Sequence, residues 1–200
     1  MKNSIGLQYD KIAQWWHDKH NASDYGLKQI ERAITYCGSV GTALDVGCGS
    51  GGRIIRKLTD AGYLVTGVDA SAKMIQLAQE NHPTLEFHTA DICDWKSDRK
   101  YNLIVAWDSI FHLPLKMHEP VVLKLCDMLA INGVLIYTFG DDYGEHESDW
   151  HDDKFYYSTI GIDANLKIIM NHGCECRHLE LDQYPQKHVC IIVQKKRSCS

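Results

Sequence analysis

Short apolar runs alternate with segments of helical spacing through most of this 200-residue chain. An apolar run of roughly four to eight residues is typical of a buried strand, and apolar residues three and four apart are typical of a helix. Strands that alternate with helices predict parallel pairing, with helices covering both faces of the sheet. Predicted strands lie at 42–46, 63–68, 84–88, 101–106 and 133–139, and predicted helices at 51–61, 71–81 and 116–129.

The two ends of the chain depart from this alternation. Residues 5–19 and 24–37 have helical spacing, and Ser23 is a candidate N-cap for the second helix. Near the C-terminus, the strand-like runs at 174–181 and 187–194 have no helix between them, so we expect a hairpin whose last strand runs antiparallel to the others. The expected organisation is one domain over 1–200, with a helical cap at 1–38, a core at 40–140, a loop at 140–157, and a helix (158–171) and hairpin within 158–200.

Composition narrows the class of partner. The formal net charge is -5, so the chain lacks the basic surface that a nucleic-acid binder usually carries. The N-terminal MKNSIGLQYD has no continuous apolar segment, and charged or polar residues interrupt the longest apolar stretches. Eight cysteines without a signal peptide indicate reduced thiols rather than a disulfide framework. We therefore expect a cytoplasmic protein that binds neither nucleic acid nor membrane.

Glycines are concentrated in LDVGCGSGGRI, residues 44–54, where the first predicted strand turns into a helix. In doubly wound sheets this turn is a usual ligand site, and Gly47, Gly49 and Gly52 match the G-x-G-x-x-G pattern of nucleotide-binding loops. The alternative is a tight turn without a ligand, although four glycines cost more conformational entropy than such a turn needs. Asp45 separates the candidate ligands, because a carboxylate beside the loop opposes a pyrophosphate and favours a positively charged ligand.

The sequence D-x-G-C-G-S-G, which begins at Asp45, closely resembles the first motif of class I S-adenosylmethionine-dependent methyltransferases. Later segments resemble that family's motifs in the same order: YLVTGVDAS ends a strand at Asp69, HTADICDW contains Asp91, and VAWDSIFHLP follows the fourth strand. The resemblance covers about residues 40–140. It implies a Rossmann-like, doubly wound and mostly parallel sheet, with helices on both faces, an antiparallel C-terminal hairpin strand and an N-terminal helical cap.

The resemblance implies S-adenosyl-L-methionine as the cofactor, a compound with sulfonium and ammonium groups and no phosphate. Asp69 would accept hydrogen bonds from the ribose hydroxyls, a role that nicotinamide enzymes share, and capping the next helix is its alternative. Asp91 would meet the adenine amino group and Ile92 the adenine face, with a solvated loop acid as the alternative for Asp91. Gly47 and Gly49 would let the backbone lie against the cofactor. The implied cofactor contacts are Asp45, Gly47, Cys48, Gly49, Asp69, Ala70, Met74, Asp91, Ile92, Ala106 and Trp107.

Methyl transfer requires an incoming lone pair in line with the methyl carbon, and an oxygen or ammonium nucleophile also needs a base. His112, after the fourth predicted strand, is the first candidate base and His151 the second, with Asp108 facing the substrate; a packed or solvated histidine is the alternative. Residues 9–26 resemble the cap helix of small-molecule members of the family. Its aromatic residues are candidates for a substrate lid, with core packing as the alternative: Tyr9, Trp15, Trp16 and Tyr25.

Two polar segments lie outside these motifs. Residues 140–157 hold seven acids and one lysine, which indicates either a solvated loop or a pocket wall that selects an amine or another cation. On an extended strand, the alternating histidines and cysteines near the C-terminus would span about 20 Å, so one tetrahedral zinc ion cannot bind all four. We expect no metal, and the alternative is a two-ligand site that borrows from residues 146–151. The alternating residues are His172, Cys174, Cys176 and His178.

The expected function is methyl transfer by in-line displacement to an O, N or S nucleophile of a small molecule. Methylation of base amino groups typically uses an Asn/Asp-Pro-Pro-aromatic motif, and cytosine C5 methylation a cysteine after proline; the chain contains neither. A nicotinamide-dependent oxidoreductase, a noncatalytic S-adenosylmethionine-binding module, and methylation of protein or RNA are the alternatives. The expected partner is a small-molecule methyl acceptor, and the expected state is a monomer or a homodimer.

Overall fold

A computed structural model of the protein describes residues 4–196. Within this range the helices are α1 (Ser4–His20), α2 (Leu27–Tyr36), α3 (Arg53–Asp60), α4 (Ala72–Asn81), α5 (His118–Met128) and α6 (Gly161–Asn171). The strands are β1 (Thr42–Val46), β2 (Leu64–Asp69), β3 (Glu86–Thr89), β4 (Tyr101–Ala106), β5 (Leu129–Gly140), β6 (Tyr143–Trp150), β7 (Asp153–Ile160), β8 (Cys174–Glu180) and β9 (His188–Lys195). Short 3-10 helices at Ile110–His112 and Leu115–Met117 precede α5. None of the helices in this part of the chain is long and apolar enough to cross a membrane.

The main sheet of the described residues has seven strands in the order β3-β2-β1-β4-β5-β9-β8. β1 pairs in parallel with β2 and β4, and β3 and β5 extend the sheet in parallel on either side. β9 runs antiparallel to β5, and β8 runs antiparallel to β9. The predicted doubly wound sheet with an antiparallel C-terminal hairpin is therefore confirmed. The chain order reverses between β1 and β4, and such a switch point is where these sheets bind ligands.

Alternate side chains of the central strands point to opposite faces of the sheet, and helices bury both faces. On β5, Leu135, Tyr137 and Phe139 belong to the cluster that includes side chains of α5 and α6. Val134 and Ile136 belong to the cluster on the other face, with side chains of α2, α3 and α4. Burial on both faces explains why the central strands read as nearly continuous apolar runs.

The predicted helical cap is confirmed, with a correction at the start of α2. α1 packs on α4 and β7, and a Cβ built on Gly6 would lie only 2.3 Å from the carbonyl oxygen of Ala70, just after β2. Ser23 is not the N-cap of α2: its hydroxyl accepts a backbone N–H two residues later, and Gly26 holds the capping position. Gly26 adopts a left-handed φ of 81°, and a Cβ there would overlap the Trp107 ring at 2.6 Å. Packing against this ring, rather than a side-chain cap, sets the start of the helix.

The acidic segment 140–157, expected to be a loop, forms an antiparallel hairpin instead. β6 and β7 pair along their whole length, so the helix predicted from residue 158 begins only at Gly161. The turn residues His151 and Asp152 have φ values of 48° and 58°. Positive φ at both central residues is characteristic of a type I′ turn, whose usual sequence signal is Asn-Gly or Asp-Gly. The sequence does not predict the hairpin because it lacks that signal and because acids are uncommon in strands.

A buried hydrogen bond joins the sheet to the last helix. The Tyr137 hydroxyl donates to Oδ1 of Asn165 at 2.9 Å, and both residues are at most 1% exposed. Tyr137→Phe leaves the Asn165 oxygen buried without this donor, so it should lower the free energy of unfolding by about 1–3 kcal/mol. Urea denaturation measures the loss. Tyr184→Phe, at a residue 81% exposed, is the matched control and should change stability by less than about 0.5 kcal/mol; equal stabilities of the two variants would contradict the prediction.

Candidate active site

A cavity of about 590 Å³ lies at the carboxyl ends of β1, β2 and β4. Small-molecule sites have volumes of roughly 300–1,000 Å³. The glycine loop after β1, the segments after β2, β3 and β4, one side of α1 and parts of the hairpin form its wall. The predicted site residues that line it are Tyr9, Trp16, Asp45, Gly47, Cys48, Gly49, Asp69, Ala70, Met74, Asp91, Ile92, Trp107, Asp108 and His112. Four other predicted residues are not among the lining residues: Trp15, Tyr25, Ala106 and His151.

Asp45 lies near the carboxyl end of β1 and is 2% exposed. Burial raises the pKa of its carboxyl to about 7, and the charge of Asp69 adds to the rise, whereas the Arg53 guanidinium opposes it. The carboxyl is therefore poised between its two protonation states near neutral pH. A cationic ligand in the cavity would favour the ionised form.

Two glycines of the loop after β1 have different structural roles. Gly47 has a φ of 73°, and a Cβ built on it would lie 2.3 Å from the Cβ of Ser109. Gly49 has a φ of 54°, and its only neighbour within 4 Å of such a Cβ, among residues 4–196, is the indole nitrogen of Trp16 at 3.7 Å. Gly47 therefore lets the loop pack against the segment after β4, and Gly49 leaves the backbone open towards the cavity.

Asp69, the last residue of β2, holds two backbone segments. Its Oδ2 accepts the Gly49 N–H and its Oδ1 accepts the Ser71 N–H, both at 2.8 Å. Asp69 is not the cap of α4, because Ser71 occupies that position and accepts the Met74 N–H at 3.1 Å. Burial raises the pKa of Asp69, while the N–H groups of Ser71 and Gly49 oppose the rise. Each carboxylate oxygen can accept more than one hydrogen bond, so a ligand hydroxyl can still donate to Asp69.

Asp91 and Ile92 lie on the cavity wall in the loop after β3. Oδ1 of Asp91 accepts the Cys93 N–H at 2.8 Å, which closes a turn. The Lys124 ammonium on α5 donates to three carbonyl oxygens of this loop, those of Ile92, Cys93 and Trp95. The sequence does not point to Lys124, because a lysine within a helix gives no sign of the loop it will contact.

The segment after β4 contributes Trp107 and Asp108 to the cavity wall, whereas Ala106 is buried in the core of the sheet. Trp107 is 4% exposed, and its buried indole nitrogen has no hydrogen-bond partner within residues 4–196. Asp108 has a left-handed φ of 50° and donates its N–H to the Thr138 hydroxyl at 2.8 Å. The Thr138 hydroxyl in turn donates to Oδ1 of Asp108 at 3.1 Å. The bonds to Thr138 hold Asp108 in this uncommon conformation.

His188, the first residue of β9, lies between two carboxylates. Its Nε2 is 2.9 Å from Oδ1 of Asp108, and its Nδ1 is 2.5 Å from Oδ1 of Asp182. Burial acts to lower the pKa of His188, but the hydrogen bonds and negative charges of Asp108 and Asp182 outweigh burial and raise it. With both nitrogens protonated, the ring donates to both carboxylates and so holds Asp108 in place. The sequence does not point to His188, because it is 80 residues from Asp108 along the chain.

Aromatic rings of α1 meet aromatic rings of the hairpin beside the cavity. The Tyr9 ring lies 5.7 Å from that of Trp16, 5.4 Å from that of Phe155 and 6.3 Å from that of Trp150, measured between centroids. Trp16 and Trp150 also contact each other edge to face at 5.9 Å. The cap and the hairpin therefore form one continuous aromatic surface, and Tyr9 and Trp16 bring it to the cavity.

Three predicted residues lie away from this wall. Trp15 is 38% exposed, and its ring packs against His151 with centroids 4.1 Å apart, at the turn of the hairpin. Tyr25 packs edge to face on Trp107 at 5.6 Å, and its hydroxyl accepts a hydrogen bond from the Gln183 amide at 2.5 Å. The structure thus brings His112, and not His151, to the cavity.

His112 lies beside Tyr9 on the cavity wall. Its Nε2 is 3.0 Å from the Tyr9 hydroxyl, and its Nδ1 is 2.8 Å from the carbonyl oxygen of Tyr156. Burial lowers the pKa of His112 to about 4, although the hydrogen bond to Tyr156 and the charge of Asp108 oppose this change. The His112 ring is therefore neutral at pH 7.

The acids of the hairpin do not form a continuous wall. Most of them are exposed, and Asp153 forms an ion pair with Lys11 at 2.6 Å. Glu147 lines the cavity, as does Lys116 from the segment before α5. A solvated surface therefore describes most of this segment, and Glu147 is its member placed to face a ligand.

The alternating histidines and cysteines do not converge on one point. His172 donates a hydrogen bond to Asp127 at 2.7 Å, and Cys174 is 1% exposed. The strand register shifts between Cys176 and His178, so the alternation is broken. In the part of the chain that the structure describes, no group of three His, Cys, Asp or Glu could hold a metal ion.

Fold and cavity together define the class: an α/β domain with a glycine loop and flanking carboxylates around a small-molecule cavity at its switch point. Residues 43–133 match the family model described as a methyltransferase domain. Residues 43–133 are therefore a methyltransferase domain, which confirms the resemblance found in the sequence.

Comparison with known proteins gives relatives and structural neighbours. Trans-aconitate 2-methyltransferase from Escherichia coli strain 55989 is 31% identical over 161 residues, which are 74% of this chain and 63% of the relative. The chain thus spans less than two thirds of that relative. A S-adenosylmethionine-dependent methyltransferase from Clostridium acetobutylicum ATCC 824 superposes with a TM-score of 0.74 at 13% identity, covering 95% of this chain and 100% of the other. The DhpI–SAH complex gives 0.72 at 20% identity, covering 97% and 99%. These two structures share the fold.

Asp45→Asn tests the buried carboxyl. With a pKa of about 7 in the folded protein and about 3.9 in the unfolded chain, Asp45 keeps its proton only in the folded state between these values. The free energy of unfolding therefore falls as pH rises through this window, and an asparagine removes that loss. The variant should match the parent protein near pH 4 and exceed it by about 2–4 kcal/mol at pH 8 in urea titrations.

Asp98→Asn, in an exposed loop, is the matched control and should leave the difference near zero at both pH values. An Asp45→Asn protein whose stability relative to the parent is the same at pH 4 and pH 8 would show that Asp45 keeps its ordinary pKa.

Proposed function

We propose that this protein transfers a methyl group from S-adenosylmethionine to an O, N or S nucleophile of a small molecule. The observation that carries the proposal is the buried Asp45 carboxyl beside the open glycine loop of a methyltransferase domain. A pyrophosphate there would face a carboxylate, whereas sulfonium and ammonium groups would be attracted to it. The S-adenosylhomocysteine named in the DhpI–SAH complex, which shares the fold, supports this choice of cofactor.

The residues on the cavity wall fit this cofactor. Gly49 leaves the loop backbone open, and Asp69 keeps acceptor capacity for two hydroxyls of a ribose. Asp91 and Ile92, held by the Lys124 contacts to their loop, would bind the adenine. The cofactor supplies a methyl group on sulfur that is already a good leaving group.

Because the methyl group needs no further activation, the protein contributes orientation and exclusion of water. Tyr9 and Trp16 from the cap and Tyr156 from the hairpin line the cavity, next to the aromatic contacts between α1 and β7. These rings would cover the acceptor. The carboxylate of Glu147, which also lines the cavity, would orient it.

The charged residues that line the cavity restrict the class of molecule that can accept the methyl group. The relatives named trans-aconitate 2-methyltransferase act, by that name, on a carboxylate anion. Here the carboxylates of Asp108 and Glu147 line the cavity, together with the cations Arg53 and Lys116, and we propose an acceptor that carries hydrogen-bond donors for these carboxylates, such as an amine.

Cofactor binding is the first measurement. Isothermal titration calorimetry should show binding of S-adenosylmethionine and none of NAD, and Asp69→Asn should weaken that binding by about 10–100-fold, because a charge-assisted hydrogen bond is lost. Asp60→Asn, at the exposed end of α3, is the matched control and should leave the dissociation constant unchanged. Binding of NAD in place of S-adenosylmethionine would contradict the proposal in favour of an oxidoreductase.

Methyl transfer itself is tested with labelled S-adenosylmethionine and a metabolite extract, followed by identification of what carries the label. We expect label in small molecules, and, in competition with trans-aconitate, preferential labelling of amines because of the carboxylates on the wall. A protein that binds the cofactor and labels nothing would be a binding module. Labelling of trans-aconitate above all amines would contradict the proposed class of acceptor.

A further inference from the structure

Both ring nitrogens of His112 form hydrogen bonds with other residues of the protein. Nδ1 lies 2.8 Å from the Tyr156 carbonyl oxygen on β7, and Nε2 lies 3.0 Å from the Tyr9 hydroxyl on α1. A base that removes a proton from an acceptor needs a free lone pair directed at that acceptor. His112 has no nitrogen left for this contact, although it lines the cavity.

The hydrogen-bond partners of His112 show which of its two ring nitrogens carries the proton. A carbonyl oxygen can only accept a hydrogen bond, so Nδ1 carries the proton and donates it to Tyr156. In the neutral ring Nε2 is then the acceptor, and the hydrogen bond from Tyr9 must run from the phenol oxygen to this nitrogen. The direction of both bonds follows from the Tyr156 carbonyl together with the neutral state of the ring.

The Tyr9 oxygen therefore has a definite orientation. It donates its proton to His112 and keeps its lone pairs for another donor. Tyr9 lines the cavity, together with Glu147 and Tyr156 of the hairpin. A donor group of an acceptor molecule in this part of the cavity can thus reach the Tyr9 oxygen.

We propose that Tyr9 takes the proton of the methyl acceptor while it passes its own proton to Nε2 of His112. This inference rests on the proposed methyl transfer. The acceptor atom forms a bond to the methyl carbon, and the electron pair of the broken carbon–sulfur bond stays on sulfur. The proton of the acceptor moves to the Tyr9 oxygen, the Tyr9 proton moves to Nε2, and the single positive charge of the sulfonium ends on the His112 ring.

The electrostatic surroundings suit this transfer. Burial lowers the pKa of His112 to about 4, so the ring is neutral and able to accept a proton at pH 7. Burial raises the pKa of Tyr9, and the neighbouring Tyr157, Asp69 and Asp108 raise it further, so the phenol keeps a proton to pass on. The charge of Asp108 stabilises the protonated His112 ring while it exists. The low pKa then returns the proton to water after the product leaves.

We call this movement of protons, from the acceptor to Tyr9 and from Tyr9 to His112, the relay. It restricts the chemistry of the acceptor. A hydroxyl, thiol or neutral amine has both a lone pair for the methyl group and a proton to lose when it takes that group. An ionised carboxylate has none, and the relay would be idle. The Tyr9 and His112 pair therefore indicates an acceptor with a bound proton, unlike the substrate in the name of the trans-aconitate 2-methyltransferases. Tyr9 is the catalytic residue in this account, and His112 acts through it as a positioning residue.

Nitrogen NMR of protein labelled with ¹⁵N in histidine tests the pair without any acceptor. The expected His112 signals are those of a neutral ring with a protonated Nδ1 and an unprotonated Nε2 at pH 6–9, assigned by their loss in His112→Gln. Tyr9→Phe should shift the Nε2 signal, because its hydrogen bond is gone. A proton on Nε2 at pH 7 would overturn the relay, since Tyr9 could not then donate to it.

Turnover provides the second test, with labelled S-adenosylmethionine and a set of amines, alcohols and thiols as acceptors. Tyr9→Phe and His112→Gln should each lower kcat by about 100-fold or more between pH 6 and 9, as expected for loss of proton transfer. The dissociation constant for S-adenosylmethionine should change by less than about threefold, which separates this loss from misfolding. His172→Gln and Tyr184→Phe are controls far from the cavity and should keep the parent kcat.

The outcomes separate the relay from the proposed function. A parent protein that binds the cofactor but methylates no acceptor would contradict the proposed function, while the NMR titration still decides the proton positions. Methyl transfer that is equally fast in Tyr9→Phe and the parent protein would overturn the relay alone. Turnover confined to trans-aconitate would also overturn it, because a carboxylate acceptor releases no proton.

Discussion

The parallel pairing of β1 with β2 on one side and β4 on the other is the constraint on which the site depends. It brings the ends of three strands to one edge of the sheet, so that Asp45, Asp69 and Asp108 surround a single cavity. The chain leaves β1 and β4 in opposite directions, and the crevice between them stays open. Gly47 maintains this arrangement, because any side chain there would collide with Ser109.

Three carboxylates in so small a space repel one another, and the protein manages each of them differently. Burial brings the pKa of Asp45 to about 7, so it can remain protonated until a cation arrives. Backbone N–H groups neutralise part of the charge of Asp69, and the imidazole of His188 does so for Asp108. The result is a cavity that is stable without a ligand and gains favourable charge interactions when a cationic ligand enters.

The cap and the hairpin complete the cavity from two distant parts of the chain. Their contact is aromatic, between Tyr9 and Trp16 of α1 and Trp150 and Phe155 at the end of the hairpin. The same contact places the Tyr9 hydroxyl against His112, 103 residues away along the chain. The position of the Tyr9 and His112 polar groups in the site therefore depends on how the cap packs against the hairpin.

The sequence by itself determined the parallel core, the glycine loop and the carboxylates at the ends of β1 and β2, because local periodicity and short spacing encode them. It could not predict the hairpin, whose His151–Asp152 turn lacks the usual glycine. Only the tertiary structure decided that His112 shares its nitrogens with Tyr9 and Tyr156, and that His188 supports Asp108. The physical reason is distance along the chain: such contacts depend on how separate elements pack, and no pattern within a single element records which side chains will meet.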